Sequence, residues 1–256
     1  MIWRHLNVLP PLLAATGAAL TGTAAASVTL PNTRVIYDAS LRERTLQFSN
    51  PDDGPSVMQI WVDSGDEHST PATADAPFVV TPPIFRIEPK SGQTVRLVFV
   101  GNALPQDRES VFYLNTLQIP SVNAAYADQN QMLFMLRNRL KIFYRPSGIE
   151  GRPQNAYEKL TFRLDDVTGN AGGGHTRIAV DNGSGYHVTL VGGTLACGVH
   201  TATFAAGMIA PRAHAQWDVT GDCPAGANEV HAKVHYVDDY GAVRETGYPV
   251  TARGAR

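Results

Sequence analysis

Charge is scarce in this chain, and so are cysteine and long apolar runs. Asp, Glu, Lys and Arg make up 17% of the 256 residues against 43% hydrophobic, and the 21 basic and 23 acidic side chains nearly cancel. That balance excludes a disordered polyelectrolyte and gives no electrostatic basis for binding nucleic acid. Past the N-terminal stretch, nothing approaches the roughly 18 uninterrupted apolar residues of a membrane helix, so no membrane insertion is expected. Amphipathic helical periodicity of ordinary length is missing as well.

Catalytic signatures are absent too. There is no Gly-x-Ser-x-Gly elbow, Walker loop or dinucleotide fingerprint, and Gly183-Ser184-Gly185 lacks the elbow's spacing. Asp165-Asp166 and Asp238-Asp239 are adjacent pairs, whose members point to opposite faces of an extended chain. His231 and His235 would share a strand face but stand roughly 13 Å apart, too far for one metal. The sequence therefore predicts neither an enzyme nor a bound cofactor or metal.

The leading segment is informative. Met1 to Ala26 carries one basic residue, Arg4, then a mostly apolar run from Val8 to Leu20, then Thr23-Ala24-Ala25-Ala26. This is the pattern of a cleaved signal peptide over 1–26. An exported chain meets an oxidising compartment, so Cys197 and Cys223 are expected to close as a disulfide. His200, His214, His231 and His235 lie in the same half, but their spacing to the cysteines matches no zinc pattern.

What remains is period two. Short runs rich in Val, Ile, Phe and Tyr recur at Arg34–Tyr37, Thr45–Phe48, Val57–Val62, Thr94–Val100, Val111–Ile119 and Met132–Tyr144. Turn chemistry separates them: Asn50-Pro51-Asp52-Asp53-Gly54-Pro55, Pro82-Pro83 and Lys90-Ser91-Gly92. After Pro146-Ser147-Gly148-Ile149-Glu150-Gly151-Arg152-Pro153 a second series follows at Leu160–Leu164, His175–Val180, Tyr186–Val191, His231–Val237 and Tyr248–Ala252. The reading is all-β, with two sandwich domains over 27–147 and 148–256.

The segment before the joint carries the most information. Its even positions read Met132, Phe134, Leu136, Asn138, Leu140, Ile142, Tyr144; its odd positions read Leu133, Met135, Arg137, Arg139, Lys141, Phe143, Arg145. One face is nearly all apolar, and the other starts apolar and becomes a row of cations. A central strand with one core face accounts for the alternation. So does an edge strand whose apolar end is open to a partner and whose basic end anchors something acidic. Periodicity does not choose between them.

The local sequence adds a resemblance. Leu104-Pro105-Gln106-Asp107-Arg108-Glu109-Ser110-Val111-Phe112-Tyr113-Leu114-Asn115, Ile119-Pro120 and Leu140-Lys141-Ile142-Phe143-Tyr144-Arg145-Pro146 resemble the periplasmic chaperones of chaperone–usher pilus assembly. Thr33-Arg34-Val35-Ile36-Tyr37-Asp38, Thr81-Pro82-Pro83-Ile84-Phe85-Arg86-Ile87-Glu88-Pro89 and, in the second half, Asp238-Asp239-Tyr240-Gly241 fit the same family in the same order. The resemblance implies two immunoglobulin-like sandwiches set as a boomerang around a cleft. It also implies a donor strand, Gln131 to Tyr144, that completes the sandwich of a pilin subunit, a known form of strand addition.

By that resemblance Met132, Phe134 and Leu136 are the donated side chains. Arg34 and Lys141 grip the subunit's C-terminal carboxylate. Glu109, Arg145 and Asp239 form an ionic link between domains, with Arg96 in the nearby charge set. Pilin subunits and an outer-membrane usher are the expected partners, the periplasm the location, and a self-capping dimer a further use of the exposed strand. The short connection from Ile119 to Gln131 resembles the short-loop class. The rival of another kind, an exported fimbrial subunit or adhesin, needs an alternating N-terminal donor extension, whereas Ser27 leads almost directly into the Arg34 motif.

Overall fold

The computed structural model describes residues 27–102, 104–121, 130, 132–167, 175–223 and 229–252. The expected leader, the start of the donor segment at Gln131 and the Gly172-Gly173-Gly174 tract lie outside them.

The first domain is a sandwich of two sheets. One has five strands, in the order β1 (Arg34–Asp38), β8 (Leu136–Arg145), β7 (Ser110–Pro120), β3 (Ser56–Asp63) and β5 (Ile84–Ile87). The other has three, β2 (Arg44–Ser49), β6 (Gly92–Phe99) and β4 (Phe78–Thr81). Alternation sends Tyr37, Phe48, Met58, Val95, Leu97, Leu114 and Ile142 into the space between them, each with 2% of its surface or less exposed. Pro82-Pro83 sits where the chain leaves the three-stranded sheet for the five-stranded one. The Asn50 turn is knit internally: its buried side-chain amide donates to the carbonyls of Gly54 at 2.9 Å and Glu88 at 3.1 Å.

A 3-10 helix of seven residues, Pro153–Lys159, opens the second domain. Its strands are β9 (Leu160–Val167), β10 (His175–Asn182), β11 (Val188–Cys197), β12 (His200–Ala205), β13 (Met208–Ile209), β14 (His214–Gly221), β15 (Val230–Val237) and β16 (Val243–Ala252). They form one ladder, β12-β14-β10-β9-β16-β15-β11-β13, and β12 also pairs β11, so the sheet closes on itself. Ile178, Val180, Leu190, Leu195, Ile209 and Val234 fill its interior. The expected disulfide is present: Cys197 at the end of β11 joins Cys223 just beyond β14, with Cα atoms 5.4 Å apart.

The sequence reading missed β12, β13 and β14. β12 turns only Ala202 and Phe204 inward and β13 is two residues long; β14 does alternate, with Ala215, Trp217 and Val219 packed against the core, but none of its side chains is fully buried. It also started the last strand of the first domain too early. The ladder begins at Leu136, and residues 132–135 precede it without strand pairing.

Candidate functional site

The site is organised by β8, whose two halves have different neighbours. β7 runs antiparallel along the strand, from Gln118 opposite Leu136 to Ser110 opposite Tyr144. On the other side β1 runs parallel, and its register covers only Lys141 to Arg145. Among the described residues, the backbone of Leu136–Leu140 has no strand on that side, and the segment before it is strongly exposed: Met132 79%, Phe134 75%, Leu136 45%. Leu133 and Met135 on the opposite parity are also half or more exposed. Five consecutive large apolar side chains in solvent, continuous with an open ladder, are an unfinished edge. The second half is ordinary interior, with Ile142 fully buried in the core.

The boundary between the halves is a pair of cations. Arg34 opens β1 and lies directly opposite Lys141 in the parallel register. Both side chains are largely withdrawn from water, Arg34 being 9% exposed. The Arg34 guanidinium lies 5.6 Å from the Phe143 ring centroid and makes a long hydrogen bond, 3.4 Å, to the Val237 carbonyl of the second domain. Its Nε has no hydrogen-bond partner among the described residues. No carboxylate pairs directly with Lys141 among the described residues. Burial, and then the charge of Arg34, push the Lys141 pKa down. Burial likewise lowers that of Arg34, although Asp239, Asp238 and Glu109 pull the other way. Two like charges side by side and partly withdrawn from water, with carboxylates near Arg34 but no ion pair to Lys141 among the described residues, are costly.

Further along the same face, Arg145 spans the two domains. Its Nε donates to Glu109 Oε1 at 2.7 Å, and its Nη1 and Nη2 donate to Asp239 Oδ2 and Oδ1 at 2.8 and 3.0 Å. Burial opposes the Arg145 charge, but the two carboxylates outweigh it and raise the pKa. Glu109 also accepts from the His187 backbone N–H at 2.8 Å. The turn carrying Asp239 presses on the first domain through Gly241, which takes φ +86° and leaves no room for a Cβ against Thr33.

Family models match along most of the described chain: the N-terminal domain of the pili and flagellar-assembly chaperone PapD over residues 27–150, and the PapD C-terminal domain over 155–248. A probable fimbrial chaperone of Escherichia coli, YadV, is 34% identical over 232 residues, which span 89% of this chain and 91% of that protein. The chain belongs to the PapD-like family of pilus-assembly chaperones. The Bordetella pertussis chaperone protein FimB/FhaD is 41% identical over 165 residues, covering 63% of this chain and 68% of that one. The crystal structure of YadV superposes with a TM-score of 0.70 at 29% identity over 87% of this chain and 98% of that one. That of SafB chaperone from Salmonella enterica, bound to the SafA pilin, gives 0.68 at 26% identity over 89% and 98%.

In this pilus chaperone, then, one strand gathers most of the residues singled out in the sequence. Arg34 meets Lys141, and Arg145 joins Glu109 to Asp239. Arg96 does not belong with them: it lies on β6 of the opposite sheet and pairs with Glu43 at 3.7 Å.

Sequence reasoning also treated the cations of β8 as one row, and the structure divides them. Arg139 Nη2 donates to Asp63 Oδ1 at 2.7 Å, and Arg137 Nη2 donates to Asn115 Oδ1 at 2.7 Å. Asp63 and Asn115 are fully buried, and neither was flagged as a site residue. Nor was His187, whose ring packs 5.3 Å from that of Phe143 and whose Nδ1 lies 3.2 Å from Glu109 Oε2.

Proposed function

We propose that this periplasmic chaperone folds and caps a pilin subunit by lending it the open half of β8, and passes it to an outer-membrane usher. An incomplete subunit sandwich exposes core side chains and an unpaired backbone edge, and a borrowed strand satisfies both. Leu136–Leu140 supplies the ladder. Met132, Phe134 and Leu136, on one face, supply the side chains; each contributes roughly 1.5–3 kcal/mol when fully buried.

The observation that carries this reading is where the vacant edge stops. An incoming strand can run along β8 only as far as Leu140, because β1 occupies the edge from Lys141 onward. Its end therefore abuts Arg34 and Lys141. A chain ending there in its C-terminal carboxylate runs parallel to β8, end to end with β1. It neutralises both cations and fixes the register by charge-assisted hydrogen bonds. Glu109, Arg145 and Asp239 serve this by fixing the angle between domains, divided in this reading at 147/148, since Ile149 already packs in the second core. The brief connection from Ile119 to Gln131 favours the short-loop class, and the exposed edge suits a self-capped dimer of the free protein.

Co-expression with a candidate pilin tests the proposal. Wild type should retain the subunit at one-to-one stoichiometry. Lys141→Ala should lose it while keeping an unchanged circular dichroism spectrum and melting temperature within a few degrees. Retention of the subunit by an Arg34→Ala, Lys141→Ala double variant would sink the anchoring role.

A further inference from the structure

Among the described residues Leu136–Leu140 has a strand on one side only, yet it is held as regular β-structure. The explanation lies on the face of β8 opposite the core. Asp63, at the end of β3, lies two strands away and is completely buried. Its carboxylate accepts from Arg139 Nη2 at 2.7 Å and Nε at 3.4 Å, Asn115 Nδ2 at 2.6 Å, Ser69 Oγ at 3.0 Å and the Gly65 backbone N–H at 2.8 Å. Arg139 lies flat over the Tyr113 ring, 3.6 Å from its centroid. Arg137 stacks at 5.0 Å over Trp61 and donates twice to Asn115 Oδ1, at 2.7 and 3.2 Å. Trp61 Nε1 closes the circuit on Ser69 Oγ at 3.1 Å.

Burial pushes the Asp63 carboxyl up, and these hydrogen bonds outweigh it, so the group stays ionised. Arg137 and Arg139 are thus already engaged, unlike Lys141. They are poor candidates for a subunit anion, since taking one would strand a buried carboxylate or amide.

We propose that Asp63 and Asn115 make Arg137 and Arg139 positioning residues, which hold the vacant half of β8 extended before any subunit arrives. A strand clamped across β7 to β3 has lost its conformational entropy during the chaperone's own folding, so docking does not have to supply it. The proposal rests on the strand-lending reading above for its purpose. The test is made on the free protein, so the two can fail separately.

Hydrogen exchange measured by mass spectrometry on the full chain decides it. In Asp63→Asn, amides of Leu136–Leu140 bonded to β7 should exchange about tenfold faster or more, while those of Lys141–Arg145 stay within about twofold. Arg139→Lys keeps the charge but loses the planar fork, and should fall between wild type and Asp63→Asn. Should Asp63→Asn fail to fold, Arg137→Met decides, because it removes the bonds to Asn115 and Ser69 and the charge over Trp61 while leaving the Asp63–Arg139 pair in place. Unchanged exchange at Leu136–Leu140 would overturn the proposal, and so would equal acceleration of both halves. The expected pattern without subunit capture by wild type would leave the positioning role standing and remove its purpose.

Discussion

The two halves of β8 share one backbone, one antiparallel partner and one alternation of faces, yet Lys141–Arg145 is interior and Leu136–Leu140 is an edge. Nothing intrinsic to either half makes the difference. β1 begins at Arg34, so it covers one half and leaves the other bare. Whether a strand is central or edge is set by where its neighbour stops, and here the stopping point carries two cations. On the sheltered half the outward face docks against the second domain through Phe143 and Arg145. On the bare half the same face is clamped by Asp63 and Asn115. A β1 that ran along the whole of β8 would leave the sandwich no open edge to lend.

The strongest way to break the contrast is to attack the sheltered half at Arg145. Removing this side chain leaves Glu109, whose side chain is 1% exposed, without its cation. Breaking a buried pair by deleting one member costs on the order of 3–5 kcal/mol. Arg145→Ala should therefore lower the denaturant midpoint and separate the unfolding of the two domains. Small-angle scattering should show a broader spread of interdomain distances. A single cooperative transition at the wild-type midpoint would mean that the link contributes nothing to domain orientation.

A smaller effect of opposite kind comes from matched truncations on the even face. Ile142→Ala removes a fully buried side chain and should destabilise the free protein by about 2–5 kcal/mol. Phe134→Ala, at a side chain that is 75% exposed, should leave its stability within about 0.5 kcal/mol. It should weaken subunit capture by about 1.5–3 kcal/mol if the ring is buried there. Equal stability losses in urea for the two variants would erase the distinction between the halves.

Much of this was legible in the residues. Alternation and turn chemistry located the long strands of the first sandwich, because those strands turn apolar side chains to one face along most of their length. β4 and β5, four residues each on either side of Pro82-Pro83, were too short to show a period of their own. In the second domain β12 offers only Ala202 and Phe204, β13 has two residues, and the alternation of Ala215, Trp217 and Val219 in β14 is shallow because none of them is fully buried. The pairing of Arg34 with Lys141 came only through the family resemblance, since they are far apart in the chain and meet through a parallel register. The roles of Arg137 and Arg139 were hidden for the same reason. As sequence they continue the row that ends in Lys141. Only the β8-β7-β3 register brings Asp63, which reads as an ordinary strand-end acid, against them.

The smallest predicted effect isolates the boundary itself. Burial, and then the charge of Arg34, lower the Lys141 pKa in the folded chain. The unfolded chain holds that proton more tightly, so between the folded and unfolded values it binds more protons than the native state, and stability rises with pH. Below the folded value the penalty is present in full; it is relieved as pH climbs toward the ordinary lysine range. Lys141→Met keeps the apolar stem and removes the charge, so in the free protein it should raise the melting temperature slightly at pH 7 and flatten the alkaline rise seen in wild type. With a subunit bound the sign should reverse, because the carboxylate then needs the cation and the variant is the less stable complex. A Lys141→Met protein less stable than wild type both free and bound would mean that Lys141 supports the fold of its own domain rather than waiting for a charge from outside.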